Sequence, residues 1–124
     1  MLKTLRGGTY NASTPFSGSP IETLYVGRNL QKDMAPFQRF TTIKTLTLSD
    51  NVTSVLDYEF YECRGLRTVT FGKNITDIGN SAFRECDTLR TVTLPESVTR
   101  IGEAAFYSCD TLSRANIPSK VSLI

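Results

Sequence analysis

The sequence predicts an α/β-type repeat solenoid: a right-handed coil with short parallel strands on one face and turns and short helical segments on the other. Three observations predict it. Cys63, Cys86 and Cys109 stand 23 residues apart in both intervals. Apolar residues recur in columns at the same step: Leu66, Leu89, Leu112; Val69, Val92, Ala115; Phe71, Leu94, Ile117; Ile75, Val98, Val121; Ile78, Ile101, Ile124; Phe60, Phe83, Phe106. Each unit opens on a brief alternation of apolar and polar residues, the pattern of a half-buried strand, and then meets turn residues. One such coil cannot bury its apolar set alone, so neighbouring coils stack into a continuous core.

Strand starts fall at Leu2, Ile21, Ile43, Leu66, Leu89 and Leu112, at intervals of 19, 22, 23, 23 and 23 residues. The first unit retains little beyond Leu2 and Leu5 and runs into an irregular Gly7–Pro20 segment. The second (Ile21, Leu24, Val26, Leu30) fits once one residue is removed, and the third brings Phe37, Phe40, Ile43, Leu46, Leu48, Val52 and Val55, with Phe40 where later units have Cys. A turn follows every strand: Gly27-Arg28-Asn29, Ser49-Asp50-Asn51, Gly72-Lys73-Asn74, Pro95-Glu96-Ser97 and Pro118-Ser119-Lys120. Val98–Ile101 reads as a second short extended piece, Gly102 as a bend, and 104–109 as one or two helical turns with Ala105, Phe106 and Cys109 on one face. In that unit the inward set is Leu89, Val92, Leu94, Val98, Ile101, Ala105, Phe106 and Cys109. Residues 1–124 thus form one solenoid of about five to six coils, 1–20 an irregular N-terminal repeat and 21–124 regular ones. The chain begins and ends inside repeats and reads as a piece of a longer array, with end-to-end pairing through 112–124 expected of the isolated piece.

Ile43-x-x-Leu46-x-Leu48-x-x-Asn51 and Leu66-x-x-Val69-x-Phe71-x-x-Asn74 follow the leucine-rich-repeat pattern. The stretch Leu94-Pro95-Glu96-Ser97-Val98-Thr99-Arg100-Ile101-Gly102-Glu103-Ala104-Ala105-Phe106-Tyr107-Ser108-Cys109-Asp110-Thr111-Leu112 resembles the BspA-type repeat, and Ile78-Gly79, Ala82-Phe83 and Cys86 carry the same motif one unit earlier. The resemblance covers 43–124 most fully and weakens upstream, where Val55-Leu56 and Glu59-Phe60 replace Ile-Gly and Ala-Phe. It implies a secreted or cell-surface protein that binds extracellular-matrix proteins, other cells or other microbes, with no catalytic residue and no fixed binding motif to carry over.

Composition agrees with a binding module. The 124 residues hold no His, which removes Ser-His-Asp and Cys-His catalysis and imidazole metal sites. A net charge of +2 gives no basic footprint for nucleic acid. No apolar run is long enough to span a bilayer, and residues 1–20 carry no signal-peptide pattern. No cofactor or metal site is expected, and the protein is read as non-enzymatic.

The candidate ligand surface is the outward face of the strands: Tyr25; Lys44, Thr45, Thr47; Arg67, Thr68, Thr70; Arg90, Thr91, Thr93; Arg114 and Asn116. Stacked strands place Lys44, Arg67 and Arg90 in one basic column beside two Thr-rich ones. A protein ligand, from the extracellular matrix or a microbial surface, is the expected partner. A passive spacer is the competing reading, because Thr suits a strand and Lys or Arg solvates it. The Thr-x-Thr ranks also resemble ice-binding solenoids, though the flanking basic column and a concave face argue against that use. The cysteines are read as small buried hydrophobes. Of the sequons at Asn11, Asn51 and Asn74, the last two occupy the repeat's own Asn place, expected to point inward. Asp57, Glu59 and Glu62 are expected to be solvated on convex turns.

Overall fold

The repeat step reappears in the pairing of backbones in a computed structural model, which describes residues 4–6, 21–30, 37–112, 114–116 and 122–123. The strands are β1 (Thr4–Arg6), β2 (Thr23–Val26), β3 (Thr45–Leu48), β4 (Ser54–Val55), β5 (Thr68–Thr70), β6 (Asp77–Ile78), β7 (Thr91–Thr93), β8 (Arg100–Ile101), β9 (Arg114–Asn116) and β10 (Ser122–Leu123). β1, β2, β3, β5, β7 and β9 form a six-stranded parallel sheet, and β10, β8, β6 and β4 a four-stranded one. Thr4, Thr23, Thr45, Thr68, Thr91 and Arg114 are partners in register along the larger sheet, so its steps are the 19, 22, 23, 23 and 23 residues of the sequence pattern.

The core is the set of apolar columns. β2 and β3 alternate outward and inward side chains, which buries Leu24, Val26, Leu46 and Leu48. The second sheet buries Val55, Ile78 and Ile101, and Val52, Ile75 and Val98 fill the corner between. The inward set expected from Leu89 onward is buried except Phe106, which is only partly covered. Phe37, Phe60, Phe83 and Phe106 form a continuous ring stack with centroids 6.0, 5.4 and 5.5 Å apart and planes within 12°. Stacked pairs of this kind add about 0.5–1.5 kcal/mol each beyond the area they bury.

The expected helical segments are not there: the described residues contain no helix. The backbone bonding gives the reason. Along 56–63, Glu59, Tyr61 and Cys63 donate within the coil to the carbonyls of Leu56, Tyr58 and Phe60, whereas Tyr58, Phe60 and Glu62 donate to Asn80, Ala82 and Arg84 in the next coil. Alternate peptides therefore face the neighbouring coil, which a helix forbids because its N–H groups all bond along its own axis. The alternation needs left-handed residues, and they repeat at the coil period: Tyr58, Ser81 and Ala104 in one column, Arg39, Glu62, Glu85 and Ser108 in another, all with φ between 54° and 61°. Inter-coil bonds override the helical propensity of Ala-Ala-Phe-Tyr. This turn arm is a third ladder running beside the two sheets.

Stacking at this distance dictates glycine in two places. A Cβ on Gly79 would come within 2.6 Å of the Asp57 nitrogen, and one on Gly102 within 2.6 Å of the Asn80 nitrogen.

Candidate ligand face

The larger sheet turns one row of each strand into the core and leaves the other outside. Immediately before β3, β5 and β7, the N–H of Lys44 donates to the Glu22 carbonyl (2.7 Å), that of Arg67 to Lys44 (2.9 Å) and that of Arg90 to Arg67 (3.1 Å). These residues are therefore direct neighbours across the sheet, as the sequence columns require. Lys44 Nζ lies 3.1 Å from Glu22 Oε1. Arg67 is exposed and has no ion-pair partner among the described residues. Like charges on adjacent strands repel, so the Lys44–Arg67–Arg90 column carries an electrostatic cost, which Glu22 offsets at Lys44.

Thr45 and Thr47 are half-buried, while Thr68, Thr70 and Thr93 are exposed. Tyr25 is half-buried in the same row. The backbones of Thr91, Arg114 and Asn116 lie in β7 and β9, and their side chains fall outside the described residues.

Off the strand face, Thr53 Oγ1 accepts from Asn29 Nδ2 (2.8 Å), Thr41 is exposed without a hydroxyl partner among the described residues, and the other five described threonines bond to backbone carbonyls. Away from the larger sheet, Thr42 Oγ1 donates to the Ile21 carbonyl (2.7 Å), Thr76 to Thr53 (3.1 Å), Thr88 to Arg64 and Leu66 (2.8 and 2.9 Å), Thr99 to Thr76 (3.4 Å) and Thr111 to Asp87 and Leu89 (2.7 and 2.9 Å). These hydroxyls fasten one coil to the one before. On the strand face, the hydroxyls of Thr45, Thr47, Thr68, Thr70 and Thr93 have no partner among the described residues.

The acids lie elsewhere. Glu22 is the one carboxylate at an outward position of the larger sheet among the described residues; Asp50, Asp57, Glu59, Glu62, Asp77, Glu85, Asp87, Glu96, Glu103 and Asp110 sit in turns, on the turn arm or in the smaller sheet. Many of them have local work. Asp57 Oδ1 accepts the Asn80 N–H (2.7 Å), Asn80 Oδ1 accepts that of Glu103 (2.8 Å), and Asp50 Oδ1 accepts that of Lys73 (2.9 Å). Arg64 is ringed by Glu62, Glu85 and Asp87.

Three expectations about side chains are corrected or sharpened. Glu59 is not solvated: it is 2% exposed, in the column of Ala82 and Ala105. Burial pushes its carboxyl up to about 7, opposed by the hydrogen bond it accepts from Leu56. Asn51 and Asn74 are exposed rather than inward, and Asn74 Nδ2 donates to the Asp50 carbonyl (2.9 Å). Asn11 lies outside the described residues. The cysteines are free and buried, and each does more than fill space. Cys63 Sγ donates to the Phe37 carbonyl (3.0 Å), Cys86 to Phe60 (3.3 Å) and Cys109 to Phe83 (3.1 Å). Burial raises all three thiols, Cys63 to about 12 and Cys109 to about 11, and in Cys86 the neighbouring cysteines add to the rise.

Sequence reading also missed an aromatic cluster on the turn arm. Tyr58 and Tyr107 are 44% and 58% exposed; Tyr58 meets Tyr61 edge to face, and Arg39 and Arg84 lie over Tyr61 and Tyr107 at 5.5 and 5.0 Å. Its signal was the spacing of Tyr61, Arg84 and Tyr107 at the repeat step. Among the described residues no three His, Cys, Asp or Glu side chains converge as a metal site requires, and no helix is long and apolar enough to cross a membrane.

Parallel strands at a 23-residue step, closed by turns over an apolar core, define a leucine-rich-repeat solenoid. Residues 32–124 match the BspA type leucine rich repeat region in six copies, and the chain belongs to that family. Its fold is similar to that of a leucine-rich repeat protein from Bacteroides ovatus ATCC 8483, with a TM-score of 0.77 at 23% identity over 95% of this chain. The chain spans about 30% of that protein's length. A leucine rich repeat protein from T. pallidum (TM-score 0.45, 16% identity, 82% of this chain and 72% of that one) and a leucine rich cell surface protein from Faecalibacterium prausnitzii A2-165 (0.44, 20%, 98% and 43%) are more distant. No curated protein matches the chain. Proteins of this repeat class are in general interaction modules rather than enzymes.

Proposed function

We propose that this chain is a non-enzymatic recognition and adhesion module of a cell-surface or secreted protein. Its strand face takes a macromolecular ligand of the extracellular matrix or of another cell's surface. The observation that carries this reading is a contrast among the threonines: five of the seven described hydroxyls elsewhere are committed to backbone carbonyls, whereas those of the strand face are left for a ligand, beside the Lys44–Arg67–Arg90 column.

The test is the triple variant K44E/R67E/R90E, screened beside the parent chain against immobilised matrix proteins and whole cells. Capture by the parent and its loss in the variant, with unchanged circular dichroism, is the expected result. Undiminished capture by the folded variant removes the strand face from the function.

A further inference from the structure

We propose that the strand face takes an anionic polysaccharide, a linear chain bearing carboxylate or sulfate groups, laid across the strands along Lys44, Arg67 and Arg90; this rests on the strand face being the ligand surface. Charge is the first argument. Acids are nearly absent from this face, with Glu22 the one described carboxylate on it and the rest on the turns, the turn arm and the smaller sheet, where Arg39, Arg64, Lys73 and Arg84 pair with them. The strands that carry the column lie ~4.8 Å apart, on the scale of one sugar ring. Arg67, at the centre of the column, has no ion-pair partner among the described residues, and a ligand with regularly spaced negative charge supplies one.

Hydrogen-bonding character is the second argument. A hydroxyl both donates and accepts, as do the hydroxyls of a sugar. Thr68 and Thr70 follow Arg67, and Thr45 and Thr47 follow Lys44, so these two cations each have two such groups beside them. The Thr-x-Thr row repeats in β3, β5 and β7, which suits a polymer of repeating units.

The third argument is against a polypeptide surface in this place. Protein interfaces draw their affinity from buried aromatic anchors. Among the described residues the strand face offers only the half-buried Tyr25, while the exposed aromatic residues Tyr58 and Tyr107 lie on the turn arm.

The experiment measures retention of the full chain on immobilised heparin, polygalacturonate, neutral dextran and poly-L-glutamate. Retention on heparin, polygalacturonate or both, none on dextran, and at least tenfold weaker binding to poly-L-glutamate is expected. Heparin alone assigns sulfate and polygalacturonate alone assigns carboxylate. R67E should weaken binding roughly tenfold and flatten its salt dependence, since a charge-assisted bond is lost. T68V/T70V, which keeps β-branched residues in β5, should weaken it to a similar extent and leave the salt dependence unchanged. Absence of retention on both polysaccharides, equal binding to poly-L-glutamate, or indifference to T68V/T70V overturns the proposal. Capture of deglycosylated matrix protein through the same face, without polysaccharide retention, overturns it while leaving the recognition function standing. Indifference of every form of capture to K44E/R67E/R90E overturns both.

Discussion

Glu59 and Leu56 bond to each other twice: the Leu56 N–H donates to Glu59 Oε1 at 2.8 Å, and the Glu59 N–H donates to the Leu56 carbonyl at 3.2 Å. At the equivalent places in the next two coils, Gly79 and Gly102 donate instead to Val55 and Ile78 of the preceding coil. The carboxylate thus supplies an acceptor that the regular ladder supplies elsewhere. Its carboxyl titrates at about 7 in the folded chain against 4.5 ordinarily, so the folded state binds its proton more tightly than the unfolded state does. The associated stability is fully present below pH 4.5 and is lost as pH rises through 7, a contribution on the order of 3 kcal/mol. E59Q keeps an acceptor for Leu56 without the charge. Urea midpoints at pH 5 and pH 8 should fall with pH more steeply in the parent than in E59Q, and the variant should be the more stable at pH 8. Equal slopes would remove Glu59 from the pH response.

Ala104 holds φ at 56° with a Cβ, a conformation that costs an L-residue roughly 1–2 kcal/mol. Ala104→Gly should therefore stabilise the chain by about 0.5–1 kcal/mol, after the added unfolded-state entropy of glycine is subtracted. The neighbouring Ala105→Gly, at a buried position with no positive φ, should destabilise it. Thermal melts of the pair give the comparison, and a drop in Tm for Ala104→Gly would contradict the strain assigned to the turn arm.

Gly65 stands in a column otherwise occupied by Thr42, Thr88 and Thr111, whose hydroxyls bond to the previous coil. Restoring the column should nevertheless fail. A Cβ on Gly65 would fall on the Thr41 carbonyl oxygen, so Gly65→Thr and Gly65→Ala should both destabilise by about 2–4 kcal/mol. A gain in stability from Gly65→Thr, read by urea denaturation, would show that the coils separate more easily than their stacking implies.

The thiols should resist labelling while the chain is folded, because thiolate is the reactive form and burial disfavours it. Cys109 is 8% exposed and Cys63 and Cys86 are fully covered, so a disulfide reagent at pH 8 should modify Cys109 first and the other two only on unfolding. Cys86→Ala should cost about 1–2 kcal/mol, partly through the Phe60 carbonyl losing its thiol donor, and Cys86→Ser less. Rapid native labelling of Cys86 would contradict its place in the core.

What the sequence made legible was whatever the repeat enforces. Thr23, Thr45, Thr68 and Thr91 pair in register because the apolar residues beside them must share one core, and a slip would turn them outward. The turn arm was illegible locally: Ala104–Cys109 is a fair helix by propensity, and only bonds such as Ser81 N–H to Glu103, between coils, exclude one. Glu59 was misread because a glutamate in a turn is ordinarily solvated. Its column mates Ala82 and Ala105 were the available sign that the position faces inward. The strand-face cations were visible as a column, but which threonine hydroxyls remain uncommitted is a matter of hydrogen-bond geometry.

Beyond the glycines that open it, the inter-coil backbone bonds of the turn arm run one way. Arg39, Tyr58, Phe60, Glu62, Ser81, Phe83 and Glu85 each give their N–H to the following coil and none to the preceding one. Their peptide dipoles therefore add along the stacking axis, as those of a helix add along its own. The electropositive pole lies on the side of Ala104, Phe106 and Ser108, the electronegative pole on the side of the earlier coils. A body that packs against the positive end meets a row of amide donors and must present carbonyl oxygens or anions to them. Successive coils supply such oxygens from the backbone alone, so the axis has a built-in polarity that does not depend on side chains.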